Sequence, residues 1–210
     1  MIRTALLIVV ATCFVPALTR AATPLSFMGA QMGMTVDEWR SLAPPEGAGP
    51  DALPACSSDP RVEAVNANNP LSATQAASGV VTCSYVSQFG DWILTHSVKL
   101  DARYRASDVK YLFDHGRLAE IRFAAPIDAF SDVMSMLKGE CGPPTATQSD
   151  QIRTADGRFA RVTQTWRVAG GTIKLVDPAG GLTQLEVSMV GPGGDGAIQA
   201  VASSDPTSVR

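Results

Sequence analysis

Apolar and polar positions alternate along several stretches of this chain, and two of those stretches echo one another. Val109 to Phe113, the turn Asp114-His115-Gly116-Arg117 and Leu118 to Phe123 read as strand, tight turn and strand. Ile173 to Val176, the pair Gly180-Gly181 and Leu182 to Val187 repeat that pattern. Gly116, Leu118, Ile121 and Phe123 fall on Gly180, Leu182, Leu185 and Val187 at one constant offset of 64 residues. The alternation sets Ile121 and Phe123 on a covered face and predicts that Glu120 and Arg122 point outward to solvent.

A helix is predicted before each hairpin. Val36, Trp39 and Ala43 are spaced along one side of a helix over Val36 to Ala43, with Thr35 as N-cap and Glu38 completing a capping box. Pro44-Pro45 stops it. The second starts at Pro126, carries the stripe Phe130, Val133, Met134, Leu137 and Cys141, and ends at Gly142-Pro143-Pro144. The expected fold is therefore α+β, two tandem helix-plus-antiparallel-sheet units over residues 22–125 and 126–190.

Further strands are expected from Thr82, where Cys83, Tyr85 and Ser87 alternate with Ser84 and Val86, and over Trp92 to Leu100. In the latter, Trp92, Leu94, His96, Val98 and Leu100 are predicted to share the core face, against Thr95, Ser97 and Lys99. Arg161 to Val168 alternates Val162, Trp166 and Val168 with Thr163, Thr165 and Arg167, after a polar loop holding Asp156-Gly157. Residues 22–34 read as a short lead-in. The long loop 46–80 is rich in Pro, Ala, Gly, Asn and Ser, with room for a helical turn between Asp59 and Ala67. A patternless loop of that length in a compact domain is functional or mobile. Residues 191–210 have little to bury and are expected to be a disordered tail.

The amino end changes the picture of where the protein works. Arg3, the apolar run Ala5 to Val15, Pro16 and the small-residue site Thr19-Arg20-Ala21 have the form of a signal peptide, residues 1–21. Val10-Ala11-Thr12-Cys13 loosely resembles a lipobox, so an alternative is a lipid-anchored envelope protein held through Cys13. Removing the signal takes away Arg3 and Arg20 and no acid, which moves the net charge from −3 to −5. That acidity argues against nucleic acid and anionic membrane surfaces as partners. Of the cysteines that remain, Cys56, in the loop, and Cys83, at a strand start, are expected to form a disulfide in an oxidising compartment. Cys141 is expected to be a buried, inert thiol. No CxxC or His-x-x-x-His spacing is present, and no metal is expected.

Candidate chemistry is sparse. Gly191-Pro192-Gly193-Gly194-Asp195-Gly196 matches G-x-G-x-x-G, but the chain ends before the helix and second strand that a dinucleotide site needs. His115 sits in a turn, where a polar residue is ordinary. Asp37, Glu38, Asp128 and Asp132 lie at helix starts, where acids favour the macrodipole. His96, on a predicted apolar face, and Trp92, at a strand start after Phe89-Gly90, are the candidate binding residues. No catalytic residue and no cofactor are assigned.

The run Gly33-Met34-Thr35-Val36-Asp37-Glu38-Trp39, followed by Leu42 and Pro44-Pro45, resembles the helix motif of small bacterial envelope proteins of the SmpA/OmlA type. Those proteins and the tandem-repeat β-lactamase inhibitor proteins share a helix-plus-antiparallel-sheet module. Val133 to Leu137 with Gly142-Pro143 looks like the same device without the Gly-Met-Thr. The resemblance covers about a third of the chain and implies an exported binding or envelope-associated module, but no binding residue. The function expected is non-enzymatic binding of another envelope or secreted protein, through a sheet surface or the long loop. The alternatives are a small apolar ligand in a helix–sheet pocket near His96 and Trp92, and a hydrolase using His96.

Overall fold

The computed structural model describes residues 24–63, 71, 79–90, 92–154, 157–179 and 182–192. The signal sequence, Cys13, the Gly180-Gly181 pair and the tail beyond Pro192 lie outside the described residues. The chain is mainly antiparallel sheet, with helices few and short. A hairpin, β1 (Ser26–Phe27) and β2 (Ala30–Gln31), occupies what the sequence presents as a plain lead-in. Helix α1 is Val36–Arg40, shorter than predicted.

The capping box is present. The Thr35 hydroxyl accepts from the Glu38 amide at 3.2 Å, and the Thr35 amide donates to Glu38 Oε2 at 2.7 Å. The Thr35 amide and hydroxyl, both donating to Oε2, hold the Glu38 carboxyl below the usual carboxylate range. Because α1 has so few turns of its own, its cap carries a large share of its definition. Thr35→Ala is expected to cost about 1 kcal/mol, read as a lower urea midpoint at unchanged m-value.

The loop 46–80 is not patternless. It contains β3 (Leu53–Cys56) and a helical turn α2 (Pro60–Glu63), so Cys56 lies in a strand rather than a loop. Then follow β4 (Val80–Phe89), β5 (Trp92–Thr95), β6 (Val98–Lys99), β7 (Arg105–Asp114) and β8 (Arg117–Pro126). His115 at φ 49° and Gly116 at φ 77° make the tight turn between β7 and β8. A short 3-10 turn leads into α3 (Phe130–Cys141), which gives way at Gly142, φ 77°. The chain closes with β9 (Ala146–Thr154), β10 (Gly157–Val168), β11 (Gly171–Asp177) and β12 (Gln184–Val190). β9 occupies the stretch that reads as a polar loop.

All the long strands join one sheet in the order β3-β4-β7-β8-β12-β11-β10-β9. β5 pairs with the far end of β4 and β6 with the start of β7. The seam between the earlier and later strands is the β8–β12 ladder, in which Phe123 stands directly opposite Val187. One row of opposed residues runs across seven strands: Cys56, Cys83, Tyr111, Ile121, Met189, Ile173 and Trp166. All are buried, because α1 and α3 lie over this face. Trp39 of α1 stacks among Tyr85, Tyr111 and Phe113, while α3 contributes Val133, Met134 and Leu137. The Trp166 indole donates to the Gly142 carbonyl at 2.9 Å and ties the end of α3 to β10.

The alternation assigned Glu120 correctly to the face opposite Ile121 but wrongly to solvent. Glu120 is only 2 % exposed. Leu112 and Val190 flank it in the neighbouring strands, and Arg122 folds over it with two bonds of 2.8 and 3.0 Å to Oε1. Burial pushes its carboxyl above the usual range, against the pull of Arg122.

Candidate functional site

The two residues singled out in the sequence lie on one edge of the helix-bearing face. Tyr85, Ser87 and Phe89 of β4 point to that face, and His96, Leu94 and Trp92 stand across from them. Beyond the reach of α1 the face is crossed by residues 46–51, which are tied to β4, β6, β7 and His96. The Lys99 ammonium meets Glu46 at 2.6 Å, and the Lys99 amide donates to the Glu46 carbonyl at 2.8 Å. The Arg105 guanidinium donates to the Gly47 carbonyl. Ser87 donates to Asp51 at 2.6 Å, and the Gly49 amide points at His96 Nδ1 from 3.4 Å. Glycine at position 49 leaves room for these side chains: a Cβ there would lie 2.8 Å from Asp51 Oδ1 and 3.0 Å from His96 Cε1, so both would have to shift.

Asp51, Ser87 and His96 together have the composition of a hydrolase triad but the reverse wiring. The Gly49 amide makes Nδ1 an acceptor, so Nε2 carries the proton and donates to Ser87 Oγ across 2.6 Å. The Ser87 hydroxyl in turn donates to Asp51 Oδ2. In a working triad the histidine takes the serine proton and the acid orients the histidine. Here the histidine faces the serine as a donor, and the acid holds the serine itself. The arrangement is a latch that seats the 46–51 segment. The Ser87 bond holds the Asp51 carboxyl below the usual range.

Past the latch the face is bare. Phe89 and Trp92 are a directly opposed pair, 58 % and 65 % exposed, and Leu94 beside them is 54 % exposed. This corrects the expected core position of Trp92 and Leu94. Ile93, between them, is the buried residue. It packs on the opposite face with Ala55, Val62, Leu71 and Val86, under α2. The alternation identified which side chains share a face, but the covered face of this strand is the one served by α2.

His96 is partly buried against Ser87 and Gly49. Asp51 and Ser87 carried no signal in the sequence, since nothing marks a loop aspartate as the partner of a serine 36 residues away. Cys56 and Cys83 form the expected disulfide, directly across the β3–β4 ladder. Cys141 is free and half-buried rather than fully buried. It lines a cleft of about 550 Å³ between α3 and the β1–β2 hairpin, with Leu25, Met28, Met136 and Leu137. Burial pushes its thiol up, away from the reactive thiolate. No group of three or more metal-ligating His, Cys, Asp or Glu side chains occurs among the described residues. No described helix is long and apolar enough to cross a membrane.

The fold and the bare patch define an antiparallel sheet protein with helices on one face and an aromatic surface at one corner. Neither family models nor characterised proteins nor solved structures give a match to this chain.

Proposed function

We propose that the chain is an exported, non-enzymatic protein-binding module of the bacterial envelope, built from two related helix-plus-antiparallel-sheet units. The observation that carries the binding role is the corner formed by Phe89, Trp92 and Leu94. Aromatic side chains that stay exposed next to a latched, rigid segment offer a large contact area at little entropic cost. Clustered exposed apolar groups of this kind mark contact sites. The partner is another envelope or secreted protein, met in the periplasm or outside the cell. The disulfide is compatible with that compartment.

Support for two related units comes from the sheet order. From the β8–β12 seam outward, one side reads β8, β7, β4 and β3, with β6 paired to β7 and β5 to β4, and the other reads β12, β11, β10 and β9. Each side contributes four strands to the main path, with α1 packed on one and α3 on the other. The 64-residue offset maps Phe123 onto Val187, the pair that meets face to face at the seam, and exchanges Ile121–Met189 with Leu185–Ala125. A local two-fold axis through that pair accounts for both facts.

A photo-crosslinking residue at position 92 tests the binding role, with the same residue at the exposed position 127 as control. In an envelope extract, position 92 is expected to give a protein adduct that position 127 does not. Phe89→Ala with Trp92→Ala is expected to weaken association with that protein by about thirtyfold or more, while the urea midpoint holds. Equal labelling at both positions would remove the proposal. A second reading, a small apolar ligand, is favoured by the cleft between α3 and the β1–β2 hairpin rather than by the His96 region. A melting-temperature rise with long-chain fatty acids, lost in Met136→Glu, would support it.

A further inference from the structure

The two outer strands of the sheet are built differently. β3 has four residues, carries Pro54, and is bridged to β4 by the disulfide. β9 has nine residues with no proline, glycine or lysine, and keeps unbroken register with β10 from Ala146↔Thr165 to Thr154↔Gly157. No described strand pairs with its outer side. A free row of N–H and C=O groups is a template for a further strand, and sheets blunt such edges by shortening them, by proline, by lysine or by bulges. β3 is blunted by its length and Pro54, whereas β9 is long, in unbroken register and opposes pairing only with the charges Asp150 and Arg153.

The charges on β9 say what kind of strand would fit. On one face Asp150 is satisfied by Arg161 of β10. On the other, Arg153 stands directly opposite Arg158, both exposed, and neither has an ion-pair partner among the described residues. Like charges set across a ladder repel. We infer that the outer edge of β9 receives an extended acidic segment of another protein, added antiparallel, with a carboxylate set beside Arg153 and Arg158. A second copy of this chain does not meet that need. Opposed residues in an antiparallel pair share a face, so two-fold pairing of β9 with itself sets odd positions against odd ones. Arg153 would then meet Thr147, Ser149, Gln151 or itself, whereas Asp150, the only acid of the strand, points to the other face.

This surface shares no residue with the Phe89–Trp92 corner, so the two proposals succeed or fail separately. The test uses the full chain and capped, fluorescein-labelled peptides (Thr-Glu)5, (Thr-Gln)5 and (Thr-Lys)5, read by anisotropy at low salt. The Glu peptide is expected to bind most tightly, to protect β9 amides from exchange, and to lose binding when its alternate amides are N-methylated. Arg153→Gln with Arg158→Gln is expected to weaken it about three- to tenfold. Arg153→Glu with Arg158→Glu should transfer the preference to the Lys peptide, while Trp92→Ala should change nothing. Equal binding of Glu and Gln peptides, no binding of any, loss of binding in Trp92→Ala, or self-association of the chain through protected β9 amides would each overturn the inference.

Discussion

Trp39→Ala is expected to destabilise the protein by about 3–5 kcal/mol, the range for removing a fully buried large aromatic. Trp39 is 0 % exposed and is the main plug between α1 and the sheet, with ring centroids 5.2 Å from Tyr85 and 5.1 Å from Tyr111. α1 is too short to persist without that anchor. One feature works in the opposite direction: the indole N–H is buried and meets no acceptor among the described residues, which costs free energy in the native state. Trp39→Phe therefore removes an orphan donor along with some packing, and its cost should fall well below that of the alanine variant. Urea midpoints for the pair, with near-ultraviolet circular dichroism to follow the tyrosines, check this. An alanine variant that loses less than about 1 kcal/mol would mean that α1 does not close this core.

Loss of the Cys56–Cys83 bridge is the second large effect. The cysteines are 27 residues apart, and closing a loop of that length stabilises by about 3–4 kcal/mol through restriction of the unfolded chain. The bridge also pins a strand with few other reasons to stay. β3 is short and contains a proline, and no described strand pairs with its outer side. Cys56→Ala with Cys83→Ala should therefore lower the midpoint and raise the m-value, since the open unfolded chain exposes more surface. For a chain of this size about 3 kcal/mol corresponds to a melting temperature lower by roughly 6–12 °C. Coincident transitions for the oxidised protein and the double variant would show that the loop needs no covalent tie.

How far the sequence announces this molecule depends on whether an element buries one face. Ile121 to Ala125 and Ile173 to Val176 alternate cleanly because helices cover one side of them, and the hairpin turn at His115-Gly116 is explicit in its residue types. Thr35 and Glu38 name the start of α1. Val98 is buried in the main core as expected, but the alternation at Trp92 to Leu94 misleads, because period two does not say which side is covered. There α2 and Leu71 lie on the side away from α1. β9 escapes notice because an edge strand exposed on both faces has no period to show. β3 is fixed by its pairing and its disulfide, in a stretch whose proline and alanine argue for neither helix nor strand. The site shows the same division. Trp92 and His96 stood out for their chemistry, but the partners that give His96 its role, Ser87 and Asp51, are brought to it only by the folding of a loop across the sheet.

The β8–β12 seam also sets an order of events for the growing molecule. When the amino end of the chain can fold before the carboxyl end exists or arrives, β8 has its β7 neighbour but not β12, and Ile121, Phe123 and Ala125 line an apolar, unpaired rim. Strand rims in that state invite mispairing. The half-finished chain is therefore exposed to mispairing in the interval before residues 184–190 arrive, and shielding β8 during that interval is expected to raise the yield of folded protein.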